Sequence, residues 1–324
     1  MGARFAWMDQ ARGVAIILVI VHHSMTWTGL FGLQVPVALV AFDDIVSPFR
    51  MPLLMFLSGM LVTRSLAKAP GVYFAGKARA IAWPYLLWSV IFLAGTGTLT
   101  IVLVPNVLLF PPTYLWYLWF LFAYYVAAWV IARLRIPLLP VAVLSLAASA
   151  FAPEDYRISR FFFLFTFFAF GWWWSSSGIV TRGSPRTRAM AIATGLAAGV
   201  VVAGITVAGH PTRYEAGYAW GVLALIAALA LMLPRVGSGR RSAALEFVGR
   251  NSVVYYVTHY TLIWALDVLL VDTWGWSEPW VVWAAGVVVA VICASALCLL
   301  RQRWAPIGWL FVWPAGTARV RASA

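Results

Sequence analysis

The chain has 324 residues, of which 63% are hydrophobic and 10% charged, and its formal net charge is +13. Soluble domains carry about 25% charged residues, so this composition excludes a large soluble core and points to an all-α, polytopic membrane protein. In a soluble chain such an excess of Lys and Arg would suggest nucleic acid as a partner. Here it is expected to set topology in the lipid bilayer, and no nucleic-acid partner is expected. Cys293 and Cys298 lie together in one late apolar stretch, which is neither a disulfide framework nor a zinc spacing, and no metal is expected.

Crossing a ~30 Å hydrocarbon core takes about 20 apolar residues per helix. Ten such spans are predicted, over 13–32, 45–66, 80–104, 113–132, 136–153, 158–178, 189–209, 214–234, 250–271 and 279–300. The first carries two histidines and is not followed by a small-residue cleavage site, so it is read as a retained span. Pro137 and Pro140 interrupt the start of the fifth. No internal repeat or long linker divides the chain, so residues 1–324 read as one membrane domain with a short basic cytosolic tail at 301–324.

Charge tests that count. With the N-terminus inside and the spans alternating, nineteen of the 23 basic residues fall on the cytosolic side. The outside keeps only Arg50, Arg157, Arg160 and Arg213, whereas among the acids only Asp9 and Glu246 fall inside. This asymmetry follows the positive-inside rule and predicts ten helices with both termini cytosolic.

Polar side chains inside the spans are the candidate functional residues. Arg12 and His23 are separated by eleven residues. That is about three helical turns, ~16 Å of rise and roughly 20° of net rotation, so both lie on one face. His22 falls about 80° from Arg12 and is the weaker candidate. His259, in a span that also starts inside, is expected at the depth of His23, and Ser58 at a comparable depth in a span running the other way. Each has a plainer reading. An intramembrane His can simply hydrogen-bond between helices, and Arg12 can snorkel to the interface. Asp9, one turn before Arg12, can orient Arg12 or His23 or serve as a helix-start acid. Arg50 is a mild functional hint at the outer end of the second span; Asn251 or Ser252 reads as an ordinary N-cap, and one that could also meet an anion. The basic run from Arg64 to Arg79 suits topology and also the phosphates of a cytosolic cosubstrate.

Four segments carry a resemblance. They are MDQARGVAIILVIVHHS, with Asp9, Arg12, Gly13 and His23; FRMPLLMFLSGML, with Met51, Pro52, Phe56, Ser58 and Gly59; YLWFL, with Trp119, Phe120 and Leu121; and FVGRNSVVYYVTH, with Gly249, Asn251, Ser252, Tyr256 and His259. In this order they resemble the acyltransferase 3 family of integral membrane O-acyltransferases, which includes sugar O-acetylases and fucose 4-O-acetylase-like members. The first segment is similar to the family's Arg-x10-His motif. Arg50 stands where many fucose-acetylase-like members have His.

The resemblance implies transfer of an acyl group, in the first instance acetyl, from cytosolic acyl-CoA to a hydroxyl of a sugar-containing acceptor, in a multi-pass protein of the cytoplasmic membrane. Under it His23, Arg12 and Asp9 are the expected catalytic residues. Arg12, Lys77, Arg79 and Arg64 are expected to hold acyl-CoA, and Ser58, Arg50, Trp119, Asn251, Ser252 and His259 to position substrate. His23 would act as a base or as an acyl relay. A homo-oligomer is compatible with this reading. The alternative class is a transporter or flippase, which also uses polar groups near the midplane, but the chain shows neither a two-fold repeat nor a buried Asp or Glu relay.

Overall fold

In the computed structural model, which describes residues 6–100, 107–108, 111, 113–153, 157–178, 184–235 and 242–314, the described residues are helical with no strand. Arg4, Arg182, Arg240, Arg241, Arg319 and Arg321, counted above as cytosolic, lie outside the described residues. The helices are α1 (Ala6–Leu30), α2 (Val37–Met60), α3 (Val62–Leu66), α4 (Pro70–Lys77), α5 (Trp83–Gly95), α6 (Trp116–Arg133) and α7 (Leu138–Phe151). They continue with α8 (Ile158–Ser177), α9 (Pro185–Val207), α10 (Ala219–Met232), α11 (Ala243–Arg250), α12 (Ser252–Asp267), α13 (Pro279–Arg303) and α14 (Ala305–Trp309). Wider π turns join α4 to α5 and extend α12 to Thr273.

Each of the ten apolar runs has a helix in its described part, and among the described residues eight helical stretches are long and apolar enough to cross a membrane. The exceptions are α7 and α8. The 14 residues of α7 rise only about 21 Å. The 20 residues of α8 have the length but not the hydropathy, and packing explains why. This helix lies against both α2 and α7, with Phe163, Leu164, Phe167 and Phe168 fully buried. It faces protein more than lipid, so its composition is set by ring packing instead of by transfer into hydrocarbon.

Two helix starts differ from the sequence reading. α2 begins at Val37, eight residues before the predicted 45, and takes Asp43 and Asp44 into the helix. The third span begins at Pro70 and not at 80, so Lys77 and Arg79 belong to it. Apolar counting stops at charges, but a buried charge with a partner does not stop a helix.

α1 is the hub, in contact with α2, α11, α12 and α13. Its crossing with α11 is backbone on backbone. A Cβ on Gly13 would overlap the Leu245 carbonyl, and one on Gly249 would overlap that of Asp9. α2 and α8 cross in the same way at Gly59 and Gly171. Small residues let helices approach this closely where no hydrophobic effect drives them together. Two of the motif glycines therefore fix the positions of the residues beside them, Arg12 and Ser58.

Candidate active site

The centre of the bundle holds a histidine pair. Nδ1 of His23 on α1 lies 2.8 Å from Nε2 of His259 on α12. Nδ1 of His259 lies 3.0 Å from the Tyr255 carbonyl oxygen. A carbonyl only accepts, so Nδ1 of His259 carries its hydrogen, and in neutral His259 Nε2 is a bare acceptor. His23 must then donate from Nδ1, which leaves its Nε2 with the free lone pair. Among the described residues that nitrogen has no partner, and it is not sealed from its surroundings. The relay fixes one tautomer and presents one basic atom, the role that a carboxylate plays for the histidine of a hydrolase triad.

Tyrosines frame the pair. The Tyr260 ring meets His23 edge-on at 5.0 Å and stacks on Tyr114 at 4.4 Å. Tyr114 in turn lies edge-on to His259 at 5.6 Å. Tyr114 donates to the Val257 carbonyl, and Tyr256 donates to the carbonyl of Tyr114 at 2.6 Å. Their hydroxyls are thus spent on backbone, and their rings wall the histidines.

His22 has its own partner. Its Nδ1 lies 2.9 Å from Oδ2 of Asp43, and Arg50 donates to Oδ1 of the same carboxylate. The Arg50 side chain is 1% exposed, so this is a buried Arg–Asp–His chain, which corrects the expectation that the chain has no buried Asp or Glu relay. The two histidine rings are 5.0 Å apart. Consecutive residues on α1 therefore diverge into two relays, one ending in a backbone carbonyl and the other in an ion pair. Asp43 escaped the sequence reading because it was placed in the loop before a span starting at 45. An acid seven residues before an Arg, which puts the two on one helix face, was the available signal.

Toward the other end of α1, Arg12 lies 3.7 Å from Asp9 and close enough to Tyr117 and Tyr125 for electrostatic interaction. Lys77 sits over the Tyr125 ring, 3.3 Å from its centre, and donates to Ser65 at 3.1 Å. Arg64 is exposed beside them in sequence. Cations whose partners are rings and hydroxyls, with one carboxylate among them, suit the phosphates of an anionic carrier.

An acyltransferase domain model, that of acyltransferase 3, matches residues 5–299. The chain belongs to the acyltransferase 3 family. It is also similar to "Inner membrane protein YcfT" of Escherichia coli (strain K12), 25% identical over 298 residues that cover 79% of each chain. No solved structure matches it. This acyltransferase 3 protein is therefore a polytopic helical membrane acyltransferase.

Within the acyltransferase 3 chain, the expected residues divide. His23 and His259 are brought together, with Arg50 linked to their neighbour His22 through Asp43. Ser58 is not at their level. It lies two residues from the end of α2, donates to the Leu54 carbonyl and faces the Tyr117 hydroxyl at 3.5 Å. The earlier start of α2 is the reason. The contacts of Trp119 are with Leu108, Phe120 and Phe161, away from the histidines; Tyr114 and Tyr117 occupy the inner face of that segment. Asn251 makes no side-chain cap. Its amide donates to the Phe247 carbonyl at 2.8 Å and accepts from Arg301 at 2.5 Å. It ties α11 to α13, and Ser252 is half-buried beside it. Arg79 donates from Nε to the Trp313 carbonyl at 2.8 Å. That contact belongs to a docking of 304–313 on α5, where Trp83 and Trp88 also bond the carbonyls of Trp309 and Leu310. The first part of the segment read as a tail is thus packed on the bundle, and residues 315–324 lie outside the described ones. Among the described residues no group of His, Cys, Asp or Glu is placed to hold a metal ion.

Proposed function

We propose that this acyltransferase moves an acyl group, in the first instance acetyl, from acyl-CoA to a hydroxyl of a sugar in a surface glycan, glycolipid or glycosylated metabolite, across the cytoplasmic membrane. The observation that carries this reading is the His23–His259 contact, with its single free Nε2 on His23. The Arg12 end is the cytosolic end. The reading is supported by the nineteen basic residues that alternation of the spans gathers there. Arg12, Lys77 and Arg64 attract the phosphates of CoA, and Arg79 keeps the rest of its guanidinium for the same task.

Two routes use these residues. In one, Nε2 of His23 takes the proton of the acceptor hydroxyl as its oxygen attacks the thioester carbonyl carbon. The C–S bond breaks, and the thiolate leaves and takes that proton back as CoA thiol. His259 accepts the hydrogen bond of the imidazolium formed meanwhile. In the other, Nε2 attacks the thioester carbonyl carbon, the C–S bond breaks and the thiolate leaves behind an N-acyl imidazolium. The acceptor oxygen then attacks that carbonyl, the C–N bond breaks to restore neutral imidazole, and the hydroxyl proton passes to the thiolate to give CoA thiol. Asp9 orients Arg12 in both routes, and Arg50 positions the acceptor through Asp43 and His22.

The test is release of CoA thiol from acetyl-CoA by membranes containing the protein and an acceptor, with wild type against His23→Ala. Thiol release that survives His23→Ala at the wild-type rate rejects both routes. Mass spectrometry of surface glycans with and without the protein then finds the acceptor as an acetyl-sized mass difference.

A further inference from the structure

The four basic residues that the positive-inside rule places on the wrong side, Arg50, Arg157, Arg160 and Arg213, come from separate stretches of chain. Arg50 is on α2, Arg157 precedes α8, Arg160 is in the first turn of α8, and Arg213 is in the loop after α9. They converge on one side chain, Tyr214. The Arg160 and Arg213 guanidinium carbons lie 4.5 and 5.1 Å from its ring centre. Arg50 and Arg157 are each close enough to interact with it electrostatically. Four topological exceptions scattered at random would not meet at one tyrosine.

Arg157 donates to the carbonyls of Pro111 and Thr113 at 3.0 and 3.4 Å, but three other donors of the cluster have no acceptor among the described residues. Nη2 of Arg50, Nε of Arg213 and the hydroxyl of Tyr214 are all buried without a hydrogen-bond partner. Among the described residues Arg213 has no ion pair with a carboxylate, and the carboxylate paired with Arg50 is Asp43. Buried donors without acceptors are costly, and the fold keeps three of them near one another. Their charge also reaches the chemistry, since Arg50 and Arg213 both interact electrostatically with His22 and His23. Tyr214 itself takes a left-handed backbone, φ 64°, a conformation uncommon outside glycine.

We propose that the arginine cluster about Tyr214 binds an oxyanion of the acceptor, a phosphate or carboxylate carried by the sugar or by its carrier lipid. Guanidinium groups match such groups two oxygens at a time. The bound anion supplies the missing acceptors and places a neighbouring hydroxyl against the histidines. The acceptor class is thus anionic. Only the role of the bound group rests on the acyl-transfer reading above; the binding does not.

The test is calorimetric binding to the full chain in nanodiscs of zwitterionic lipid. The probes are glucuronic acid and glucose 6-phosphate for a sugar-borne anion, farnesyl diphosphate for a carrier lipid, and methyl glucoside as the uncharged control. At least one anion should bind ten times more tightly than methyl glucoside. Arg213→Gln should weaken that binding tenfold or more, Arg213→Lys should retain most of it, and Tyr214→Phe should cost about threefold. Preference for the sugars or for the diphosphate identifies the source. Should Arg213→Gln fail to fold, Tyr214→Phe and the salt dependence of the wild type decide in its place. No anion binding above methyl glucoside, or anion binding indifferent to these substitutions and to salt, overturns the proposal. If anions bind but no acceptor supports CoA thiol release, acyl transfer fails and the anion site stands. If neutral and anionic acceptors release thiol equally and Arg213→Gln changes nothing, the anion site fails and acyl transfer stands.

Discussion

The two ends of α1 handle positive charge differently. At the Arg12 end the cations have partners: Arg12 has Asp9, Lys77 a ring and a hydroxyl, Arg79 a carbonyl and Arg301 an amide oxygen. At the Arg50 end Asp43 is shared between Arg50 and His22, and among the described residues buried donors of Arg50, Arg213 and Tyr214 go without an acceptor. The first arrangement is stable by itself and tolerates a mobile, strongly charged cosubstrate. The second is incomplete by itself, and its buried, aligned groups are worth more in a low dielectric than the same groups in water. The histidines sit between the two.

The largest effect that would break this division is at the junction. His23→Ala should lower the rate of CoA thiol release by about 10²- to 10⁴-fold, the usual worth of a positioned general base. His22→Ala should cost less if the free Nε2 of His23 is the reacting atom, and a reversal of that order would move the chemistry to the Asp43 relay. Next is Asp43→Ala, which strips the charge partner from a buried arginine. Breaking such a pair costs about 3–5 kcal/mol, visible as a lowered unfolding temperature in detergent. An unchanged midpoint would mean that Arg50 is not buried. Lys77→Met tests the Arg12 end and should raise KM for acetyl-CoA about tenfold, roughly 1.4 kcal/mol, with kcat nearly unchanged. A fall in kcat alone would remove Lys77 from carrier binding. Smallest is Asn251→Ala, which removes two hydrogen bonds worth about 1 kcal/mol each and should lower stability without altering the KM of either substrate. A raised KM there would restore Asn251 as a substrate contact.

The nearness of His23 and His259 was legible because each lies nine or ten residues into its apolar run, 13–32 and 250–271, although the helices that carry them start at Ala6 and Ser252. The same arithmetic misplaced Ser58, since it took the start of α2 from the first uninterrupted apolar run and so missed Asp43. Pairing is what hid the acid. Asp43 is carried into the bundle by Arg50 and His22, and no composition window sees a partner seven residues ahead and another on a different helix. The contacts of Asn251 and Arg79 were hidden for a related reason. Their chemistry suits a ligand, but α13 and the docked 304–313 segment already occupy it. Of the aromatic wall, Tyr256 stood in a motif, but Tyr114 and Tyr260 were hidden by abundance, as the chain has 12 tyrosines and 19 tryptophans, and only the tertiary fold singles out the few that touch a histidine.

The glycine crossing of α1 with α11 has a mechanical consequence. Two backbones in direct contact at Gly13 and Gly249 leave no side chain to compress or re-pack, so α1 and the α11–α12 hairpin travel as one stiff beam. Arg12, His23 and His259 ride on that beam together, and the distance between the histidines is insulated from motions elsewhere in the bundle. On the flank of α5 and α6 the contacts are instead rings set edge-on, Phe92 against Tyr260 and Tyr117 against Tyr256, which give way more readily than backbone against backbone.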